Sequence, residues 1–338
     1  MASTIKDIRN ETGLALSTIS KYLNGGNVRE ENAVKIDEAV KKLDYHPNEL
    51  ARALITKQTR TVSFVVNDIT SQFCGTMLRH AVEQLRQKGY SAIFCDSAQD
   101  PALEAENIRF CIEKNVDGIL LIPCGTSPDA LQPAHDAGVP VVLIDREIKG
   151  SDCDCVILDN REAAHREVSY LIERGHKRIG AIYSMEYTGH ERYLGYCEAM
   201  KEAGLTVPET YVFSGPRHST ELGYEGIKSL IRLEITPTAV FLSNYEVNLG
   251  AVMALNEKGV NCPEQISLVG FDELVLSLVM KPEMTVMAQP MEDMCDEAVR
   301  LLMERIASAP DEEIPPRRIC MPARLKERGS VRSIEGER

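Results

Sequence analysis

Apolar positions recur every three or four residues along the first fifty positions, in short runs broken by glycine. Thr4 with Asp7 three residues on is a capping-box pattern that opens a helix, and Ile5 and Ile8 share one of its faces. Gly13 permits a sharp turn. A second short helix follows over Leu16–Leu23, with Ile19 and Leu23 turned inward. That leaves Leu16, Ser17, Ser20 and Lys21 on the opposite face. A longer helical run comes next, and Pro47-Asn48 opens a last small helix. Two short helices joined by a glycine-containing turn are the helix-turn-helix signature, whose second helix lies in a major groove. An ordinary three-helix subdomain would show the same periodicity.

After a polar, basic stretch at 55–61 the pattern changes. Apolar strand-like runs at 62–66, 92–95, 118–122 and 139–144 alternate with amphipathic helical runs at 73–88, 103–115 and 127–137. Gly89 and Gly138 stop the first and last of these helices. The alternation then starts again. Strands are expected at 156–158, 179–183, 211–214, 239–243 and 266–271, with helices at 161–174, 191–203, 220–233 and 247–258. Short β-branched runs between helices mean parallel sheets covered on both faces. Two arrays of similar size predict two open-sheet subdomains with a crevice between them. A helix at 292–307 and a strand at 318–322 have no third array to join, and are expected to cross back and complete the two subdomains. The charged tail 326–338 is expected to fray.

Charge sharpens this division. Residues 1–60 hold ten Lys/Arg against eight Asp/Glu, a net of +2, whereas the remainder holds 28 against 43, a net of −15. That split suits a small DNA-facing module on an acidic body that nucleic acid would repel. An apolar share of 43% with 26% charged residues is ordinary for a globular chain, and 338 residues suggest two or three domains. No run is long enough for a membrane helix and the N-terminus lacks a signal-peptide core, so a cytoplasmic protein without membrane contact is expected. The ten cysteines fall mostly in apolar patterns. Cys153 and Cys155 form the one close pair, at a spacing unlike that of zinc sites. Neither metal nor cofactor is expected.

Ligands of open parallel sheets sit beyond the carboxyl ends of the strands. Asp145, Asn244 and Asp272 each close an expected strand. Any one of them alone would be read as a helix cap, but three at equivalent strand ends point to a polar ligand.

Four blocks of the first region resemble the lactose/galactose-repressor family of bacterial transcription factors in order and spacing. They are Thr-Ile-Lys-Asp-Ile (4–8), Ser-Thr-Ile-Ser-Lys-Tyr-Leu-Asn-Gly (17–25), Tyr-His-Pro-Asn (45–48) and Ala-Arg-Ala-Leu (51–54). The later region is similar to the same family over Asp68–Phe73, Val116–Ile119, Pro140–Arg146, Leu158–Asn160, Gly175–Gly180, Arg192–Tyr196, Val269–Asp272 and Thr285–Pro290. The resemblance implies a multidomain chain. A small all-α helix-turn-helix headpiece (1–46) and a hinge helix with linker (47–60) would precede an α/β periplasmic-binding-protein-like core (61–325). That core would hold two open parallel-sheet subdomains, one of about 61–160 plus 291–317 and one of about 161–290 plus 318–325.

By the same resemblance Leu16, Ser17 and Lys21 are base-reading candidates, and Thr4, Thr18, Ser20 and Asn24 complete the contacts of the headpiece. Asn48, Ala51 and Leu54 would act from the hinge helix, Leu54 as an apolar wedge in the minor groove. The effector pocket would include Phe73, Asp145, Arg192, Asn244, Asp272 and Gln289. His218 falls near a family position that often holds an aromatic residue, with pocket and surface both open to it. Arg9, Ala15 and Arg29 depart from the family pattern in the headpiece. In the pocket, Cys74 and Tyr245 do. The implied function is a ligand-responsive DNA-binding regulator, read as a repressor. As a homodimer it would bind a pseudo-palindromic operator, with a sugar or similar polar metabolite as effector. A protein co-regulator is left open. An alternative is a ligand-binding protein that has lost DNA binding. An enzyme is not expected, because neither a Gly-x-Gly-x-x-Gly after the first strand, a P-loop nor a Gly-x-Ser-x-Gly elbow is present.

Overall fold

A computed structural model describes residues 3–23, 26–45, 58–309, 312 and 314–334. The chain divides into two compact units, Met1–Thr59 and Arg60–Arg338.

In the first unit, α1 (Ile5–Thr12), α2 (Leu16–Leu23) and α3 (Glu30–Lys42) pack around Ile8, Ile19 and Ile36, none of which reaches solvent. The Asp7 carboxylate accepts the Thr4 amide at 2.8 Å and its hydroxyl at 2.7 Å, which fixes the start of α1. Gly13 ends that helix at φ 70°, where a side chain would be strained, and its N–H bonds Arg9 O. Ala15 offers α2 only its carbonyl, which accepts from Thr18 and Ile19. Arg29 likewise gives α3 no side-chain cap, so Glu30 and Glu31 stand alone in that helix's first turn to favour its dipole.

The second unit holds two six-stranded sheets. The first is built from β1 (Thr61–Val66), β2 (Ser91–Asp96), β3 (Gly118–Leu121), β4 (Val141–Ile144) and β5 (Asp154–Leu158). Around them lie α4 (Gln72–Gln87), α5 (Pro101–Glu113) and α6 (Gln132–Asp136). The second array runs α7 (Asn160–Glu173), β6 (Ile179–Ser184), α8 (Tyr187–Glu202), β7 (Val212–Gly215), α9 (Thr220–Leu230) and β8 (Ala239–Leu242). It continues through α10 (Tyr245–Lys258), β9 (Ser267–Phe271), α11 (Val275–Val279) and β10 (Thr285–Ala288). Then α12 (Met291–Ala307) returns to the first body, followed by β11 (Arg318–Met321) and β12 (Arg324–Lys326).

The strand orders are β11-β5-β4-β3-β1-β2 and β12-β10-β9-β8-β6-β7. Every pairing is parallel except β10 with β12. The central strands are buried throughout, which is why they read as unbroken apolar runs. The chain passes between the bodies three times, at 158–160, 288–291 and 321–324. In each sheet these crossings use one edge, β5/β11 in the first and β10/β12 in the second.

Four expectations are corrected. Residues 318–321 belong to the first sheet, not the second. β11 pairs with the open edge of β5, and buried Asp154 fixes the approach by accepting the Arg317 amide at 2.8 Å. The described part of the tail, through residue 334, is held in place, and residues 335–338 lie outside the described residues. The Ser330 hydroxyl donates to Leu268 O at 2.7 Å and accepts the Thr285 amide at 2.8 Å, and Ile334 N–H bonds Arg174 O at 2.8 Å. The run 127–137 is a 3-10 turn followed by the short α6, because Pro133 removes an amide from the middle of a continuous helix. β10 was not expected as a strand, since it is only four residues long and lies between Pro282 and Pro290.

The helix pairs of the second body approach through glycine. A Cβ on Gly250 would lie 1.8 Å from Thr220 O, and one on Gly195 would lie 2.1 Å from Arg161 O. Buried His176 bonds Thr238 Oγ1 at 2.9 Å and Arg332 O at 3.1 Å, tying the C-terminal segment to this body.

Candidate functional site

A cleft lies between the two sheets at the carboxyl ends of their strands. The space between the walls is about 540 Å³, part of it open to solvent. All seven residues expected to touch an effector line it: Phe73, Asp145, Arg192, His218, Asn244, Asp272 and Gln289.

Asp145 and Asp272 occupy matching places, one residue past β4 and one past β9. Both adopt left-handed backbone, with φ of 68° and 74°. Aspartate tolerates this conformation better than most residues, but it still stores strain, and strain of this kind gathers at functional sites. Burial pushes both carboxyls above the ordinary range, against the pull of nearby guanidinium groups. The Arg146 guanidinium lies 3.5 Å from Asp145, and Gln289 Nε2 donates to Asp272 at 2.6 Å.

Arg192 comes from α8 and is 2% exposed. Its Nε donates to Asn160 Oδ1 and a terminal nitrogen to Ser243 O, both at 2.7 Å. The guanidinium carbon stands 3.8 Å from the Phe271 ring centroid, a cation–π contact that fixes the plane of the group. Burial lowers its pKa, while Asp272 and Asp145 favour the charge. The remaining edge of the fork is left for the cleft.

Asn244 answers both readings of the sequence. It caps α10 by accepting the Val247 amide at 3.0 Å, and it faces the cleft, where its amide donates to Glu246. His218 is part of the pocket wall. Its Nε2 lies 3.2 Å from Ser184 Oγ and 3.1 Å from Thr188 Oγ1, while Nδ1 is buried without a partner. Burial holds its pKa well below the usual histidine range, so the ring is neutral at pH 7. Phe73, in the first turn of α4, is half-buried beside Cys74, whose thiol burial pushes up to about 12. Polar contacts bridge the cleft. Ser71 donates to Glu246 at 3.0 Å and Arg217 to Gln99 O at 3.5 Å.

Arg146, Glu186 and Glu246 also line the cleft and were not singled out from the sequence. Arg146 directly follows Asp145 and Glu246 lies two residues past Asn244, so adjacency to strand-end polar residues was the available signal. Beneath Arg192 lies Glu167 of α7, wholly buried, with neither carboxyl oxygen in hydrogen-bonding geometry with a donor.

In the first unit, Thr4, Ser17 and Lys21 are exposed, and Leu16, Thr18 and Ser20 are half-buried on α2. Asn24, Asn48, Ala51 and Leu54 lie outside the described residues. Among the described residues no three His, Cys, Asp or Glu side chains are arranged to hold a metal ion. Cys153 and Cys155 are free thiols flanking Asp154, which binds Arg305 and Arg317.

Residues 4–48 match the family described as bacterial regulatory proteins, lacI family, and residues 168–331 match a periplasmic binding protein-like domain. The HTH-type transcriptional regulator RegA of Clostridium acetobutylicum is 34% identical over 92% of this chain and 95% of its own. The chain belongs to the LacI family.

The HTH-type transcriptional repressor PurR of Actinobacillus pleuropneumoniae is 30% identical over 98% of this chain and 99% of its own. Among solved structures, the transcriptional regulator CelR in complex with cellobiose aligns with a TM-score of 0.72. It is 27% identical, over 97% of this chain and 99% of that one. As a LacI-family member the protein is a DNA-binding transcriptional regulator with a small-molecule effector, not an enzyme. Among the described residues no helix is long and apolar enough to cross a membrane.

Proposed function

We propose that this LacI-family regulator is a cytoplasmic repressor that binds a pseudo-palindromic operator as a homodimer. A sugar or related polar metabolite held in the cleft sets its affinity for DNA. The observation that carries the effector reading is the buried Arg192 fork, aimed into a cleft whose matching strand ends present Asp145 and Asp272. Two carboxylates accept hydroxyl protons, a planar guanidinium donates to ring or hydroxyl oxygens, and Phe73 supplies a face for stacking. A ligand that touches both bodies shifts the equilibrium between their relative positions by its difference in affinity for them.

On α2, Ser17 and Lys21 are exposed and Leu16, Thr18 and Ser20 are accessible at its edge, the arrangement a recognition helix needs in a major groove. Thr4 joins them from the start of α1. Self-association is supported by α11, which leaves Val275, Leu278 and Val279 at 62%, 48% and 62% exposure.

The test is selection of bound sequences from random duplex DNA by the purified full chain at two salt concentrations. Enrichment of a palindrome with a flexible pyrimidine–purine step at its centre is expected, with affinity falling as salt rises. Lack of enrichment, with and without an added metabolite pool, overturns the proposal.

A further inference from the structure

The cleft carries more negative charge than its two arginines balance. Arg146 is flanked by Asp145 at 3.5 Å and by Glu186 at 3.9 Å, so its charge is already shared. Arg192 gives two hydrogen bonds to the neutral oxygens of Asn160 and Ser243, and its single charge is shared between Asp272 and Asp145. Asp272 accepts the side-chain amide of Gln289, and Glu246 the hydroxyl of Ser71 and the amide of Asn244. No Lys or Arg forms an ion pair with either acid among the described residues. Both acids line the same cleft, and burial together with the like charge of Asp272 pushes the Glu246 carboxyl up. A third acceptor stands with them. Gln289 is 9% exposed and gives its amide nitrogen to Asp272, which leaves Oε1 buried at the cleft without a partner.

We propose that the effector carries a protonated amine seated among Asp272, Glu246 and the amide oxygen of Gln289, and so belongs to the amino sugars or comparable polyhydroxylated amines. The inference rests on the cleft being the effector site. An ammonium group brings three donors and one positive charge to three acceptors and two like charges. A neutral hexose would supply donors but leave the repulsion in place. A sugar phosphate would add charge of the wrong sign to a cleft that already has a surplus. Burial raises the pKa of both acids, as expected where a counter-charge has still to arrive.

The experiment compares matched probes on the full chain. D-glucosamine, D-galactosamine and D-mannosamine are each titrated against the parent hexose and its 6-phosphate, with thermal stabilisation as the readout. At least one amine should act at a concentration about tenfold or more below its parent, the ratio expected for one charge-assisted contact. Glu246→Gln should bring the two curves together. A parent hexose or phosphate that acts at lower concentration than its amine overturns the proposal; if that sugar also releases operator DNA, the effector reading still stands. The ligand-free protein gives a second test. Glu246→Gln removes the repulsion with Asp272 and should raise the unfolding temperature. A lower temperature would make the carboxylate a structural member of the fold and overturn the proposal.

Discussion

Replacing Glu167 with methionine should stabilise the protein, and by more as the pH rises. The side chain is 0% exposed, and neither carboxyl oxygen is in hydrogen-bonding geometry with a donor. Burial pushes its pKa well above the ordinary 4.5; Arg192 and, at longer range, the Met287 amide pull the other way and lose. Glu167 therefore enters the fold with unpartnered polar atoms, at a cost of about 1–3 kcal/mol. Methionine keeps the reach of the side chain and fills the space with a soft apolar group. A gain of about 1–2 kcal/mol is expected at pH 7.5, equivalent to roughly 2–8 °C in a domain of this size.

The sign of the pH effect follows from linkage. The folded-state pKa is raised, so the stability tied to the Glu167 proton is complete below the unfolded value. It is lost as pH climbs through the folded one. The advantage of the variant should be smallest near pH 4.5 and widen toward pH 8. Urea unfolding at several pH values measures it. A variant less stable than the parent at pH 8, or a gap independent of pH, would refute the reasoning, because Glu167 would then be an ionised partner of Arg192.

Gly250→Ala should cost about 3 kcal/mol in urea unfolding, since its Cβ would meet the Thr220 carbonyl and force α9 and α10 apart. Lys21→Ala should weaken operator binding and lower the salt slope by about one unit if it meets a phosphate; an unchanged slope would assign it to a base. Leu278→Glu should convert a dimer to monomers in sedimentation, and a dimer that persists would exclude α11 from the interface.

Most of the fold was legible because its strands are buried on both faces and so read as unbroken apolar runs. What was missed lacks that signal. β10 is only four residues long, and β11, expected as a strand, was given to the wrong sheet because it alternates exposed with half-buried positions at a sheet edge. The tail read as frayed because of its charges, whereas buried Ser330 and the backbone of Arg332 and Ile334 tether it to the second body. At the site, Asp145, Asn244 and Asp272 were readable from strand ends, while Arg192, Phe73 and Gln289 came only through family resemblance. Glu167 gave no signal, because an acid on the inner face of α7 looks like any other helical charge until the neighbouring sheet is in place.

The clustering of all three crossings along one edge of each sheet decides how the two bodies can move. One tether leaves a body free to swivel in any direction, but three in a row act like the pins of a door. They permit a swing about their common line and resist twisting or sliding. The far strands, β2 and β7, lie four to five inter-strand spacings from the strands that carry the crossings. At about 4.8 Å per spacing the lever is roughly 19–24 Å, so a swing of about 10° moves the outer strand by about 3–4 Å. Motion is least beside the pins and greatest at the opposite edge. A molecule gripped by both walls thus trades a small angular change at its own position for a displacement of side-chain size at the rim.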